Sequence, residues 1–467
     1  MRGKLRFFLA ILIVASVLGA CAEKVEDDIE GKRKLAFETW MELYGDGATR
    51  LPTGVYVKKL SSSSESSVIK PPVDGNWVSL DYTGRALYSG NIFVTRDSAT
   101  ARLLGSFEYY THYVPEFVKF SKTDTVGVIQ GVYDALATMN EGDVVRAYIP
   151  PSLAYGTYGS SFTGGYQGQT SAVGGDVAII MDLELKKIVA DPVAYETEQV
   201  QQFAYNHWGK RVDDTIAKNV YRQTLELGKK DTLTVSDDTT VCVYYVGRFL
   251  DGFIFDTNIA DTARKYNIYD SSIGTKYDSL KISTNGTDTS YIAGFYKAIV
   301  GMKFGETAET VFTSLYGYGS TAQTPDDGTW INPYTPLRYT IEVLHPNGEG
   351  TTLHPYNVTG FKEQRELEKG VWVRGYIVGA VEGSNVATDA VYSDTINVKT
   401  NILIADTRTA SEAEKVIAVE LPEGPMRDKL NLQDNPSIYR DQIEFKGDMA
   451  VYLGQVGMVN VEQYILK

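Results

Sequence analysis

Apolar residues alternate with polar ones along Val78, Leu80 and Tyr82, and again along Val241, Val243 and Tyr245. Each stretch therefore predicts a strand with one buried face. The spacing then changes: Ile129, Val132, Tyr133, Leu136 and Met139 recur at helical intervals, as do Ile292, Phe295, Tyr296, Ile299 and Met302. Each set predicts one short amphipathic helix. A glycine turn follows at Gly142 or Gly305, then a strand over 144–149 or 308–313, and a closing strand over 177–188 or 337–344. Ahead of each series lies a helical lead-in, about 34–44 or 195–218, and a short extended piece containing Val55-Tyr56 or Val220-Tyr221.

The two series are copies of one another. Tyr82 and Tyr245 are 163 residues apart, and the same offset joins Gly131 to Gly294, Gly142 to Gly305 and Tyr155-Gly156 to Tyr318-Gly319. A constant offset across separate landmarks marks an internal duplication. From Gly370 the pattern is different: strands are predicted over 371–381, 401–406, 416–421, 442–453 and 459–466, with a helix at 426–430 between the third and fourth. That order resembles a small OB-like barrel. The Ser61–Ser67 stretch reads as low-complexity linker or loop, and the Gly-rich 156–175 as a mobile segment.

The N-terminus predicts export. Arg2, Lys4 and Arg6 precede an apolar run from Phe7 to Leu18, which is too short for a stable membrane span. Leu18-Gly19-Ala20-Cys21 resembles the lipobox of bacterial lipoproteins, which implies a lipid on Cys21 and an outer-membrane protein facing the periplasm or the cell surface. The acidic run Glu26-Asp27-Asp28 resembles a surface-export tag, or is simply a solvated tether. With Cys21 acylated, Cys242 has no intrachain partner, so stability must come from packing; Cys242 itself reads as inert. A formal net charge of −14 argues against nucleic acid as a partner. His112, His207, His345 and His354 lack metal-ligand spacing, and no motif for a bound cofactor is present.

Asp81-Tyr82-Thr83-Gly84, Val128-Ile129-Gln130-Gly131 and Ala154-Tyr155-Gly156 resemble, in that order, motifs of the FKBP-type peptidyl-prolyl cis-trans isomerases. So do Tyr244-Tyr245-Val246-Gly247, Phe255-Asp256, Tyr291-Ile292-Ala293-Gly294 and Gly317-Tyr318-Gly319 in the second copy. The resemblance implies an α+β chain: two domains in which a curved antiparallel sheet wraps around one short helix, followed by the all-β OB-like barrel. The corresponding plan is a signal peptide 1–20, a tether 21–33, copy one 34–190, copy two 191–348, a linker 349–369 and the barrel 370–467.

By the same resemblance Tyr245, Phe255 and Tyr339 form walls of a pocket in copy two, Phe295 its floor and Asp256 a polar group at the rim. The Ile292 N–H and the Tyr318 hydroxyl would hold ligand carbonyls, and Ile331 and Pro333 would press on the ligand from a closing loop. Tyr291 and Gly317 depart from the family's valine and alanine. In copy one Tyr82, Phe93, Ile129, Val132, Tyr155 and Met181 remain as lining, but Val94 replaces the acid and Val132 the aromatic floor. Copy one thus reads as degenerate, a scaffold or weak peptide binder. The implied partners are proline-containing segments of exported proteins, with no cofactor, and the implied activity is prolyl isomerisation or chaperone-like binding. The competing expectation is a non-catalytic surface lipoprotein that binds protein or glycan, the barrel included. The long connections 95–125 and 258–290 favour this second expectation, because they have the length to cover or reshape the pocket.

Overall fold

A computed structural model describes residues 28–62, 70–123, 128–162, 171–227, 233–286, 291–323 and 329–467. Cys21, the signal sequence, Glu26 and Asp27 of the acidic run, most of the Ser-rich stretch and the centre of the Gly-rich segment lie outside them. Among the described residues no helix is long and apolar enough to cross a membrane.

Copy one contains α1 (Ile29–Tyr44), β1 (Tyr56–Ser61), β2 (Trp77–Ala86), β3 (Ile92–Thr95), β4 (Glu116–Lys119), α2 (Gln130–Leu136), β5 (Val144–Ile149) and β6 (Ile179–Val189). Its main antiparallel path runs β1-β5-β6-β2-β3, with β4 also paired to β2. Copy two repeats this with α3 (Pro192–Trp208), β7 (Val220–Glu226), β8 (Thr240–Arg248), β9 (Ile254–Thr257), β10 (Leu280–Ser283), α4 (Ala293–Ile299), β11 (Thr307–Phe312) and β12 (Leu337–Val343). The path β7-β11-β12-β8-β9, with β10 on β8, is the same. The duplication is therefore one of topology as well as of sequence. The second lead-in helix ends at Trp208, short of the expected 218, where Gly209 takes a φ of 67° and closes the helix.

Each sheet buries its inner face against the short helix. Val78, Leu80, Leu183 and Leu185 meet Val132, Leu136 and Met139 in copy one. The lead-in helices use the opposite faces: Phe37 and Met41 of α1 pack on Leu87, Tyr148 and Ile180, while Val200 and Phe203 of α3 pack with Tyr221 and Val311. Helix and sheet approach so closely that the first turn of each short helix excludes a side chain. A methyl group on Gly131 would lie 2.2 Å from Ile149 Cγ2, and one on Gly294 would lie 2.3 Å from Phe312 Cε2.

The connections 95–125 and 258–290 are not plain loops. Each adds a short helix, Ser98–Leu103 or Ala260–Lys265, and then returns as β4 or β10 to lengthen the sheet. At the ends of the Gly-rich segment of copy one, Ser160–Phe162 pairs antiparallel with Ser171–Val173.

The chain divides into two compact units, and the division does not follow the duplication. Residues 318–335, which belong to copy two in sequence, group with residues 1–198. Within that first unit Thr329 Oγ1 donates to the Tyr110 carbonyl at 2.9 Å, Asn332 Nδ2 donates to the Pro115 carbonyl at 3.3 Å, and the Tyr334 ring meets Trp77 edge-on at 5.1 Å. The reason is sequence length: the 95–125 insertion supplies carbonyls that a shorter connection would lack.

The C-terminal region is a closed five-stranded barrel of β13 (Val371–Val381), β14 (Asn401–Ala405), β15 (Val416–Glu420), β16 (Gln442–Tyr452) and β17 (Gln455–Leu466). Its order β13-β14-β15-β17-β16 closes through β13–β16 pairing, and α5 (Pro425–Leu430) lies between β15 and β16 in sequence. The stretch 349–369, read from sequence as a linker, sends Tyr356, Val358 and Phe361 into the barrel core. Asp406 accepts from the Val358 and Thr359 amides and so holds the start of the helix Val358–Glu363.

Gly131→Ala and Gly294→Ala are expected to destabilise the chain by about 1–3 kcal/mol each through overpacking. Urea unfolding of the full chain checks this. A lowered midpoint at unchanged slope is the expected outcome.

Candidate functional site

In copy two the site is organised around Tyr339, whose position on β12 pairs with Gly247 of β8. Its ring meets Phe255 at 5.7 Å, Phe295 at 5.3 Å and Tyr245 at 6.0 Å, and stacks on Phe312 at 5.9 Å. Tyr245 in turn meets Phe295 edge-on at 5.3 Å. Most of these contacts are edge-to-face or tilted, which suits the ring quadrupoles. Glycine is required at 247 because a methyl group there would lie 2.9 Å from both Phe255 Cζ and Tyr339 Cε1. Thus Tyr245, Phe255, Phe295 and Tyr339 form one aromatic cluster, with Phe312 as a member that the sequence reading omitted.

The polar part of this cluster is a tyrosine–carboxylate pair. The Tyr245 hydroxyl donates to Asp256 Oδ2 at 2.8 Å, and Lys276 Nζ lies 2.7 Å from Asp256 Oδ1. Lys276 comes from the long connection 258–290, which the sequence reading took as able to cover or reshape the pocket. Ile292 is the N-cap of α4 with φ −67° and ψ 144°, so its N–H lies outside the helix ladder. Tyr318, Ile331 and Pro333 fall in the 318–335 segment that belongs to the first compact unit. Ile331 is buried there and exchanges backbone hydrogen bonds with Gln323. Gly317 has φ −109° and ψ −118°, nearly the backbone of Ala154 at −100° and −116°, so the two copies make the same turn before the tyrosine with different residues.

Copy one retains more than the loss of its acid at position 94 suggests. Gly84 pairs with Val94 as Gly247 pairs with Asp256, which confirms that Val94 stands at the acid's position. Yet the Tyr82 hydroxyl still donates to a carboxylate, that of Glu116 on β4. Glu116 pairs with Leu80, whereas Leu280 of β10 pairs with Val243, so Glu116 and Leu280 are equivalent positions. The acid has moved to the strand on the other side of the same tyrosine. Phe93 meets Tyr155 edge-on at 6.0 Å, and a methyl group on Gly84 would lie 2.7 Å from both Met181 Sδ and Phe93 Cζ. Val132 lies in the core, and Ile129 is the N-cap of α2 with φ −60° and ψ 153°. Burial, and then the charge of Glu116, hold the Tyr155 hydroxyl far above the ordinary tyrosine range. No group of three or more His, Cys, Asp or Glu side chains suited to a metal occurs among the described residues.

An antiparallel sheet packed on one short helix, with a tyrosine–carboxylate hydrogen bond, recurs in both copies and defines a duplicated α+β domain. The model of the FKBP-type peptidyl-prolyl cis-trans isomerase family matches residues 70–173 and 231–344, and the chain carries two tandem FKBP-type domains. The C-terminal region, residues 356–467, matches DUF6359, a domain of unknown function. No curated protein matches the chain. Solved structures similar to it include the three FKBP domains of wheat FKBP73, at 19% identity over 63% of this chain and 94% of that one, with a TM-score of 0.22. FkpA from Escherichia coli is 22% identical over 41% of this chain and 72% of its own, with a TM-score of 0.24. A peptidyl-prolyl cis-trans isomerase from Pseudomonas syringae is 22% identical over 33% and 96%, with a TM-score of 0.24.

Because Glu116 adds to the elevation of Tyr155, Glu116→Gln is expected to lower the pH at which Tyr155 ionises while burial keeps it above free tyrosine. Ultraviolet difference titration near the phenolate band checks the shift. The sign for stability follows: Tyr155 is neutral when folded, so its contribution is complete below the unfolded value of about 10 and is lost as pH rises beyond it.

Proposed function

We propose that this chain is a membrane-anchored prolyl isomerase or peptide-binding folding factor for exported proteins, with copy two as its active domain. The observation that supports this is the cluster around Tyr339 with its Tyr245–Asp256 hydrogen bond. Rotation about an X-Pro bond meets a barrier of about 18–20 kcal/mol because amide resonance is lost on twisting. The planar amide is the more polar form. A dry aromatic surface that strips water from it therefore favours the twisted form, which is differential binding of the transition state.

In this reading Tyr245, Phe255 and Tyr339 are walls, Phe295 is the floor, and Asp256 fixes the Tyr245 hydroxyl at the rim. The Ile292 N–H holds a carbonyl oxygen of the peptide. A lipid on Cys21 ties the chain to the outer membrane, on its periplasmic or surface face, and brings it to exported clients.

A non-catalytic lipoprotein is the second reading, and one observation favours it: Phe255, Phe295 and Tyr339 are each only 4% exposed, filled in by one another. Such a protein would use its domains to bind a protein or glycan partner. For the barrel, a protein partner suits the structure better than a glycan. In OB folds the ligand face is the outer surface of strands two and three, and here Leu403, Ala405, Val416 and Ala418 are buried on it beneath Val386 and the half-buried Tyr392 and Ala410.

A protease-coupled assay with an Ala-Leu-Pro-Phe peptide separates the readings. The full chain is expected to accelerate isomerisation, and Phe295→Ala and Tyr245→Phe to lower kcat/KM by about tenfold or more. No acceleration by the unmodified chain, or acceleration indifferent to both substitutions, would sink copy two as an isomerase.

A further inference from the structure

The two pockets differ in charge, and the difference comes from the relocated acid. Asp256 has its counter-charge built in, since Lys276 Nζ lies 2.7 Å away and both side chains are 23% exposed. Glu116 is half-buried, accepts from Tyr82 and lies close enough to Tyr155 to raise that hydroxyl, and it makes no ion pair with lysine or arginine among the described residues. A carboxylate bonded to the Tyr82 hydroxyl and near Tyr155, whose ring meets Phe93 edge-on, is an arrangement that attracts a cation twice. The charge attracts it directly, and the ring faces attract it through their quadrupoles. In copy two the same place is occupied by Leu280.

We propose that copy one is a second peptide site, selective for segments that carry a lysine or arginine side chain, with Glu116 as the residue that sets this specificity. The proposal rests on the reading that these domains bind peptide segments. It departs from that reading in assigning the apparently degenerate copy a ligand class of its own. The division of labour is chemical: copy two, internally neutralised, takes segments irrespective of charge, whereas copy one takes cationic ones. Nothing in this selection needs catalysis. Val132 in place of an aromatic floor weakens contact with a proline ring but leaves the Tyr82–Glu116–Tyr155 group untouched.

The test is fluorescence anisotropy on the full chain with two labelled peptides, Ala-Lys-Pro-Phe and the same peptide acetylated on lysine. The lysine peptide is expected to bind about tenfold more tightly, a difference that shrinks as salt is raised. Glu116→Gln keeps an oxygen to accept the Tyr82 hydroxyl and is expected to abolish the difference, whereas Asp256→Asn is expected to retain it. Equal affinity of the unmodified chain for the two peptides overturns the proposal without any substitution being made. So does a lysine preference that survives Glu116→Gln. Loss of isomerase activity with an intact, Glu116-dependent lysine preference would instead remove the catalytic reading of copy two and leave this one standing. Failure of both peptides to bind would remove both.

Discussion

A tyrosine hydroxyl half-buried on the inner side of a sheet must be given an acceptor, because an unpaired phenol away from water costs more than a lost hydrogen bond returns. Both copies meet this requirement with a carboxylate, and both place it on a strand next to the one that bears the tyrosine. Copy two uses β9 and Asp256; copy one uses β4 and Glu116. The exchange is reciprocal, since Val94 and Leu280 fill the positions the acids have left. Once the hydroxyl is fixed, the ring is fixed, and the neighbouring rings and the glycine beside them follow. The conserved quantity between the two domains is thus a hydrogen bond, not a residue.

That explains what was legible in the sequence and what was not. The strands, the short helices and the barrel order are written in periodicity, which burial enforces locally, whereas the FKBP-type fold of both copies was legible only through the resemblance of their motifs to that family. Tyr245, Phe255, Phe295 and Tyr339 are joined by ring contacts. Glu116 was invisible because its partner is 34 positions away across a ladder, and no spacing rule links a glutamate in an insertion to a tyrosine in a strand. Lys276 was hidden for the same reason. Phe312 escaped notice because alternation along β11 marks it as ordinary core, which it also is. The grouping of residues 318–335 with the first unit depends on carbonyls at Tyr110 and Pro115, and backbone acceptors leave no signature in side-chain identity.

The barrel shows how burial on both sides of a strand changes what a fold can offer. Ile402 and Ile404 of β14 point into the barrel, while Leu403 and Ala405 point outward under a second apolar layer. A strand covered twice presents no groove. Lys362 reinforces the arrangement: its ammonium donates to the carbonyls of Glu414 at 2.7 Å and Val416 at 3.1 Å, tying the helix that precedes the barrel to the barrel's own loop. Burial holds that ammonium's pKa below the ordinary lysine range, as expected for a cation solvated by carbonyls in place of water.

The first compact unit takes residues 318–335 from the far side of nearly all of copy two. A ribosome makes a chain from its N-terminus at about 5–20 residues per second, and a domain ordinarily folds once it has emerged. Here Tyr110 and Pro115 of the first unit wait for Thr329 and Asn332, which are synthesised only after residues 199–317. For that interval, several seconds or more at the usual pace, the N-terminal unit exists without part of its own packing. The first unit gains its last residues only after residues 199–317 of the second have been made.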